Sequence, residues 1–69
     1  MNGLNEKLLA AHDREDTHAL IGLYEAAADQ SNDFIERSFF LTHAFVYALE
    51  KGDVQADLLH GRLREMGRI

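Results

Sequence analysis

The chain has 69 residues, no cysteine, no proline and a formal net charge of −5 at pH 7. Without cysteine it can form neither a disulfide nor a thiolate metal site, and its excess of acid argues against nucleic acid or an anionic membrane as the main partner. A chain of this length forms one domain over residues 1–69, and such a domain needs efficient helix packing, a metal or oligomerisation to be stable.

The sequence predicts four helices, and the first runs from about Leu4 to His12. Its apolar face is formed by Leu4, Leu8 and Ala11. The apolar run LLAA is shorter than the hydrophobic core of a signal peptide, so we expect a soluble cytoplasmic protein. Either Asp13 or Asp16 can cap the next helix, because a short carboxylate accepts hydrogen bonds from the free backbone N–H groups of a helix N-terminus.

The second helix is predicted from about Thr17 to Gln30. Its apolar residues share one broad face at 100° per residue, and they are Ala19, Leu20, Ile21, Leu23, Tyr24, Ala27 and Ala28. The alanines permit a neighbouring helix to approach closely. Asp33 and Glu36 then have the spacing of a capping box, which predicts the start of a third helix.

All four phenylalanines lie in the third helix, which is predicted from about Phe34 to Lys51. We expect its core face to consist of Phe34, Ile35, Phe39, Leu41, Phe45, Val46 and Leu49. Gly52 follows, at the position where a helix commonly ends in the left-handed conformation. The segment is too short and too polar to span a bilayer, so we expect no membrane partner.

A narrower apolar strip of the third helix is the candidate site of interaction. It contains Phe40, Ala44 and Tyr47 and lies away from the expected core face. Side chains recur here at heptad-like spacings of four, three, four and three, and the candidate interface is Glu36, Phe40, His43, Ala44, Tyr47 and Glu50. We expect a homodimer or a docked protein partner on this strip. The alternative is a monomer whose first helix folds back to cover it.

The fourth helix follows at once, with Asp53 as its expected N-cap and Gly67 at its end. Its inner face is predicted to be Val54, Leu58, Leu59, Leu63 and Met66. Short connections place helices two, three and four as antiparallel neighbours. The expected fold is therefore all-α, a small antiparallel bundle of three to four helices.

The pattern of helices two to four resembles the tetratricopeptide repeat. Leu20 and Tyr24 match the L-x-x-x-Y part of that motif's first helix, and Phe45, Ala48 and Gly52 match the end of its second helix and the turn. The resemblance implies helical hairpins of that type, although helices two and three together are longer than the motif's period of about 34 residues allows. The run FFLTHAFVYALEKGD also resembles a segment of short uncharacterised bacterial proteins, which implies no particular function.

Histidine and acidic side chains form few catalytic or metal-binding patterns. Glu15 and His18 make one E-x-x-H pair, whereas a di-metal bundle needs two. His43 is either a base or ligand flanked by Tyr47 and Phe40, or a partly buried histidine hydrogen-bonded to a neighbour, and we favour the second reading. A helix-turn-helix made by the last two helices is disfavoured by the net charge. We therefore expect no metal, no cofactor and no nucleic-acid partner.

These observations lead to one expected function and one alternative. The first is a small non-catalytic helical protein–protein interaction or scaffold protein that forms a homodimer. The alternative is a small ligand-binding protein or enzyme with a site around His43, Tyr47 and Glu50. The two differ in whether His43 is structural or chemically active.

Overall fold

The computed structural model of the protein describes residues 3–69, which form four α-helices. These are α1 (Gly3–Asp13), α2 (Thr17–Gln30), α3 (Phe34–Lys51) and α4 (Gln55–Glu65). The predicted bounds of α2 and α3 are confirmed, and α1 extends one residue beyond its prediction at each end. The expected all-α fold is also confirmed.

Polar side chains fix where α2 and α3 begin. Of the two candidate caps for α2, Asp16 takes the role, since its carboxylate accepts a hydrogen bond from the Ala19 N–H at 3.1 Å. At α3 the Asp33 carboxylate accepts from the Glu36 N–H at 2.8 Å. The Glu36 carboxylate does not return to the Asp33 backbone as a capping box would. It accepts instead from the Ser31 hydroxyl at 2.7 Å, and the Ser31 oxygen accepts from the Asp33 N–H at 3.3 Å.

The turn from α3 to α4 depends on glycine. Gly52 has φ 62° and ψ 33°, and the N–H of Asp53 donates to the carbonyl of Ala48 at 2.9 Å, as in a Schellman motif. The predicted N-cap of α4, Asp53, lies one residue too early, although its carboxylate still binds a backbone N–H at the start of the helix. Val54 holds the N-cap position without a side-chain hydrogen bond, and the Asp53 carboxylate accepts from the Gln55 N–H.

Two glycine substitutions should change the free energy of unfolding in opposite directions. A Cβ would meet nothing within 4 Å at Gly52 or at the helical Gly22. Clashes with neighbouring side chains therefore do not contribute to the effect of either substitution. Gly52→Ala should lower the free energy of unfolding by about 1–2 kcal/mol, because Gly52, unlike Gly22, has a left-handed φ. Gly22→Ala should raise it by about 1 kcal/mol. Urea denaturation of both variants measures the difference. Equal shifts of the same sign would contradict the assignment of the turn.

The helices lie side by side in the order of the chain, with α1 on α2, α2 on α3 and α3 on α4. The Cα atoms span 31 × 29 × 12 Å, so the array is only about one helix thick. Its core contains Ile21, Ala28, Leu41, Ala44, Ala48, Leu59 and Leu63. Arg62 ties α4 back to α2, since its guanidinium lies 2.7 Å from the Asp29 carboxylate and 3.8 Å from that of Glu25.

The predicted core face of α3 is largely wrong. Leu41 is buried and Phe45 is half-buried, but the other five residues are exposed, namely Phe34, Ile35, Phe39, Val46 and Leu49. The side of α3 that turns inward carries Ala44 and Ala48, both fully buried. Small side chains let two helix backbones approach closely, whereas a face of large side chains would hold α2 further away. In a single layer α3 is covered where α2 and α4 pack against it, and the side that faces neither helix stays open.

The predicted inner face of α4 is partly wrong for the same reason. Leu59 and Leu63 are buried and Met66 packs against the core, as expected. Val54 and Leu58 are exposed instead. The single layer gives α4 one neighbouring surface, so a narrow stripe of its side chains is buried and the wider apolar set is not.

Candidate interaction surface

Four exposed apolar side chains form a continuous stripe along α3. Ile35, Phe39, Val46 and Leu49 are between 45% and 67% exposed, and Thr42 lies among them at the centre of the helix. With Thr42 included, the spacings are four, three, four and three, the repeat by which one helix packs against another. These five residues span an arc of about 80° on the helix surface. We call them the α3 stripe.

The candidate interface predicted from the sequence lies beside this stripe, and part of it is turned inward. Ala44 is fully buried, and Phe40 and Tyr47 pack against the core. Glu36 and Glu50 are exposed and His43 is half-buried. The apolar members of the predicted strip are therefore covered by the chain itself, and Ala44 is not available to a partner.

Tyr24 of α2 supplies most of this cover. Its ring centroid lies 6.2 Å from that of Phe40, 5.8 Å from that of Tyr47 and 5.1 Å from that of His43, stacked on the last two. From α1, the His12 ring lies edge-on to Tyr47 at 6.4 Å, and its Nε2 is 3.0 Å from the Tyr24 hydroxyl. The first helix thus contributes to the cover through His12.

Burial alters the acid–base behaviour of two side chains of α2. It raises the pKa of the Tyr24 hydroxyl, and the neighbouring Tyr47 raises that pKa further. Tyr24 is therefore neutral at pH 7, and its hydroxyl proton is available for the hydrogen bond with His12. Burial also raises the pKa of the Glu25 carboxyl, and this outweighs the opposite effect of Arg62.

His43 is held in one orientation by its own helix. Its Nδ1 lies 3.0 Å from the Phe39 carbonyl oxygen, and because a carbonyl only accepts hydrogen bonds, Nδ1 carries the proton. The Phe39 ring lies 4.4 Å from His43, measured between centroids. His43 is therefore a half-buried histidine whose hydrogen bond lies within α3, whereas the structural interpretation expected a bond across a helix interface.

A groove of about 320 Å³ opens along the edge of the α3 stripe. Its lining is Thr42, His43, Val46, Tyr47 and Glu50. Four of these residues have the spacing i, i+3, i+4 and i+7, which is the arrangement of a hole in knobs-into-holes helix packing. His43, Tyr47 and Glu50 are predicted site residues, whereas Val46 is not, because the sequence pattern places Val46 on the core face.

A second groove, of about 310 Å³, lies where α1 meets α2 and the start of α3. Its lining includes Leu4, Leu8, Ala27 and Phe40, with the hydrogen-bonded pair Ser31 and Glu36 at one side. The E-x-x-H pair lies elsewhere, in the connection between α1 and α2 and at the start of α2. Glu15 there has a left-handed φ of 54°, and the ring of His18 lies 3.5 Å from the Asp53 carboxylate.

Comparison with known proteins adds no relative. No family model, curated protein or solved structure matches the chain. Within residues 3–69, no group of three or more histidine or acidic side chains is placed to hold a metal ion. None of the helices in that range is both long and apolar enough to cross a membrane. The contacts and exposed surfaces of this chain are therefore what indicates its function.

Proposed function

We propose that the protein is a non-catalytic helical interaction module of the cytoplasm that forms a homodimer through the α3 stripe. The observation that carries the proposal is the exposure of four large apolar side chains at heptad spacing on one helix. Such a seam is typical of helices that pack against another helix. The resemblance to tetratricopeptide hairpins, whose arrays present surfaces to other proteins, supports the same class of function.

The amount of exposed apolar surface supports a protein partner. The exposed fractions of the four large side chains correspond to about 400 Å² on one copy, which is the size of the largest apolar patch on a typical monomer, and such patches are often functional. Two copies that covered these side chains completely would bury about 800 Å², so the residues at the rim must supply the rest of the roughly 1,000 Å² that a specific interface needs.

The shape of the array favours a second copy as that partner. Domains usually have two or more packed layers around a core, because each helix must bury its apolar face against another element. A single copy has one layer, about 12 Å thick across its Cα atoms. Two copies facing each other through α3 would give two layers. A heptad seam also presents the same pattern on both copies, as a two-fold interface requires.

Sedimentation equilibrium of charge variants tests this proposal. The wild-type protein should be dimeric at micromolar concentration, and Phe39→Glu or Val46→Glu should weaken the dimer about 100-fold, since a charge cannot be buried unpaired in the seam. Both side chains are exposed, so each variant should keep the helical circular dichroism of the wild type.

Leu9→Glu is the matched control. Leu9 is about as exposed as Phe39, but it lies on α1, away from the stripe. It should leave the dimer unchanged. A wild-type protein that is monomeric throughout the micromolar range would overturn the proposal. So would a dimer that Leu9→Glu weakens as much as Phe39→Glu does.

The alternative of a ligand-binding protein or enzyme is favoured by one observation. His43, Tyr47 and Glu50 line the same groove. That groove is formed by α3 alone, however, and known ligand sites bury most of the ligand between several elements. His43 also has its Nδ1 hydrogen committed to a carbonyl of its own helix. Metabolite-sized ligands that bind with His43-dependent affinity would favour this alternative over the dimer.

A further inference from the structure

The groove beside the α3 stripe and the exposed ring of Phe39 are suited to each other in size. The groove measures about 320 Å³, and a cavity of about 150 Å³ is enough to hold benzene. Phe39 is 56% exposed and belongs to the stripe. Tyr47 and His43 line the groove with aromatic side chains and Val46 lines it with an apolar one, so a phenyl ring would meet complementary surfaces there.

Within one copy, the Phe39 ring lies against His43 at one end of this hole but does not reach its centre. The hole is centred between Val46 and Tyr47, about seven residues further along the same straight helix, or roughly 11 Å at 1.5 Å per residue. A second copy is needed to supply the ring. Resting on the homodimer proposed above, we infer that two α3 helices pack antiparallel and that Phe39 of each copy inserts into the His43–Val46–Tyr47–Glu50 hole of the other.

The antiparallel direction follows from symmetry. In a parallel two-fold dimer each residue faces its own equivalent, so Phe39 would meet Phe39 of the second copy and each hole would face Val46 and Tyr47 instead of a phenyl ring. In an antiparallel pair, the Phe39 ring of each copy enters the hole of the other copy. The two-fold axis then lies close to Thr42 and His43. Antiparallel helices also place the opposite ends of their dipoles together.

This orientation has an electrostatic consequence at the rim. It places Glu36 opposite Glu50 of the second copy, twice in the dimer, and both carboxylates are exposed. Like charges at an exposed rim repel, and salt screens that repulsion. The dimer should therefore become tighter, not weaker, as the salt concentration rises.

Cysteine crosslinking tests the orientation, because the natural chain contains no cysteine. Single-cysteine variants at Ile35, Thr42 and Glu50 are first confirmed as dimers by sedimentation. They are then treated with a bifunctional maleimide reagent whose reach is about 10 Å, the distance between packed helix axes.

The antiparallel arrangement predicts a defined set of products. Thr42→Cys should crosslink to itself near the axis, and an equal mixture of Ile35→Cys and Glu50→Cys should give a mixed crosslink. Ile35→Cys alone should not crosslink, since the two copies of this residue would be about 23 Å apart along the helix axis. Leu9→Cys, on α1, is the control for random collision and should give no crosslink.

The outcomes separate this inference from the proposed function. Self-crosslinking of Ile35→Cys without the mixed product would show a parallel dimer, which overturns the inference and leaves the homodimer standing. A dimer that no stripe cysteine crosslinks would overturn the inference and the α3 stripe together. A chain that sediments as a monomer would overturn the homodimer itself.

Discussion

Leu59→Ala should lower the free energy of unfolding by about 2–5 kcal/mol, whereas Leu58→Ala should change it by less than about 1 kcal/mol. The two leucines are adjacent in α4, but Leu59 is fully buried in the core and Leu58 is 64% exposed. Truncating Leu59 removes buried methyl groups and leaves a cavity between α3 and α4. Truncating Leu58 removes groups that already contact water.

The expected loss at Leu59 is large for so small a domain. At roughly 0.05–0.15 kcal/mol per residue, a chain of this length has about 3–10 kcal/mol of stability in total. Leu59→Ala should therefore leave a marginally folded protein. Urea denaturation followed by circular dichroism measures both variants, and an unchanged m-value confirms that the folded state is the same. Similar losses for the two leucines would mean that α4 is rotated relative to the packing described above.

The helix bounds could be predicted from the sequence because they depend on local chemistry. Asp16 and Asp33 accept hydrogen bonds from the first turns of α2 and α3, and Gly52 ends α3 in a left-handed conformation. Each of these residues acts within a few positions of its own place in the chain. No knowledge of the neighbouring helices is needed to place them.

The inward face of α3 could not be predicted in the same way, because both of its faces are apolar. Which one is buried depends on the shape of the helix that packs against it. The signal that was available is the pairing of small residues, Ala44 and Ala48 on α3 with Ala28 on α2, all of them in the core. The large phenylalanines are the stronger apolar signal in the sequence, and they favour the face that the structure leaves exposed.

Three residues of the candidate site could be predicted from helix periodicity, whereas the burial of a fourth, Ala44, could not. His43, Tyr47 and Glu50 lie three or four residues apart, so helix geometry alone places them on one side of α3, and they line one groove. Ala44 falls close to them in sequence but lies under α2, fully buried. Periodicity fixes which residues share a side of a helix, and it does not fix what covers that side.

Ala44→Leu and Thr42→Leu should separate folding from association. Ala44 has no exposed surface, so three added carbons must push α2 and α3 apart, and the free energy of unfolding should fall by about 1–3 kcal/mol. Thr42 is exposed in the middle of the stripe, and a leucine there adds apolar surface without entering the core. Its hydroxyl donates to the Ser38 carbonyl within the same helix, a contact of the kind that contributes little to helix stability.

The two variants are measured by urea denaturation at low protein concentration and by sedimentation equilibrium. Thr42→Leu should tighten the dimer about tenfold, the effect of roughly 1.4 kcal/mol of added apolar burial, with little change in the stability of the monomer. Ala44→Leu should instead lower the free energy of unfolding of the monomer. The molecules that remain folded should dimerise with unchanged affinity. If Ala44→Leu strengthened association instead, the strip that contains Phe40, Ala44 and Tyr47 would be the contact surface, and α3 would have to turn by nearly half a revolution from the packing seen here.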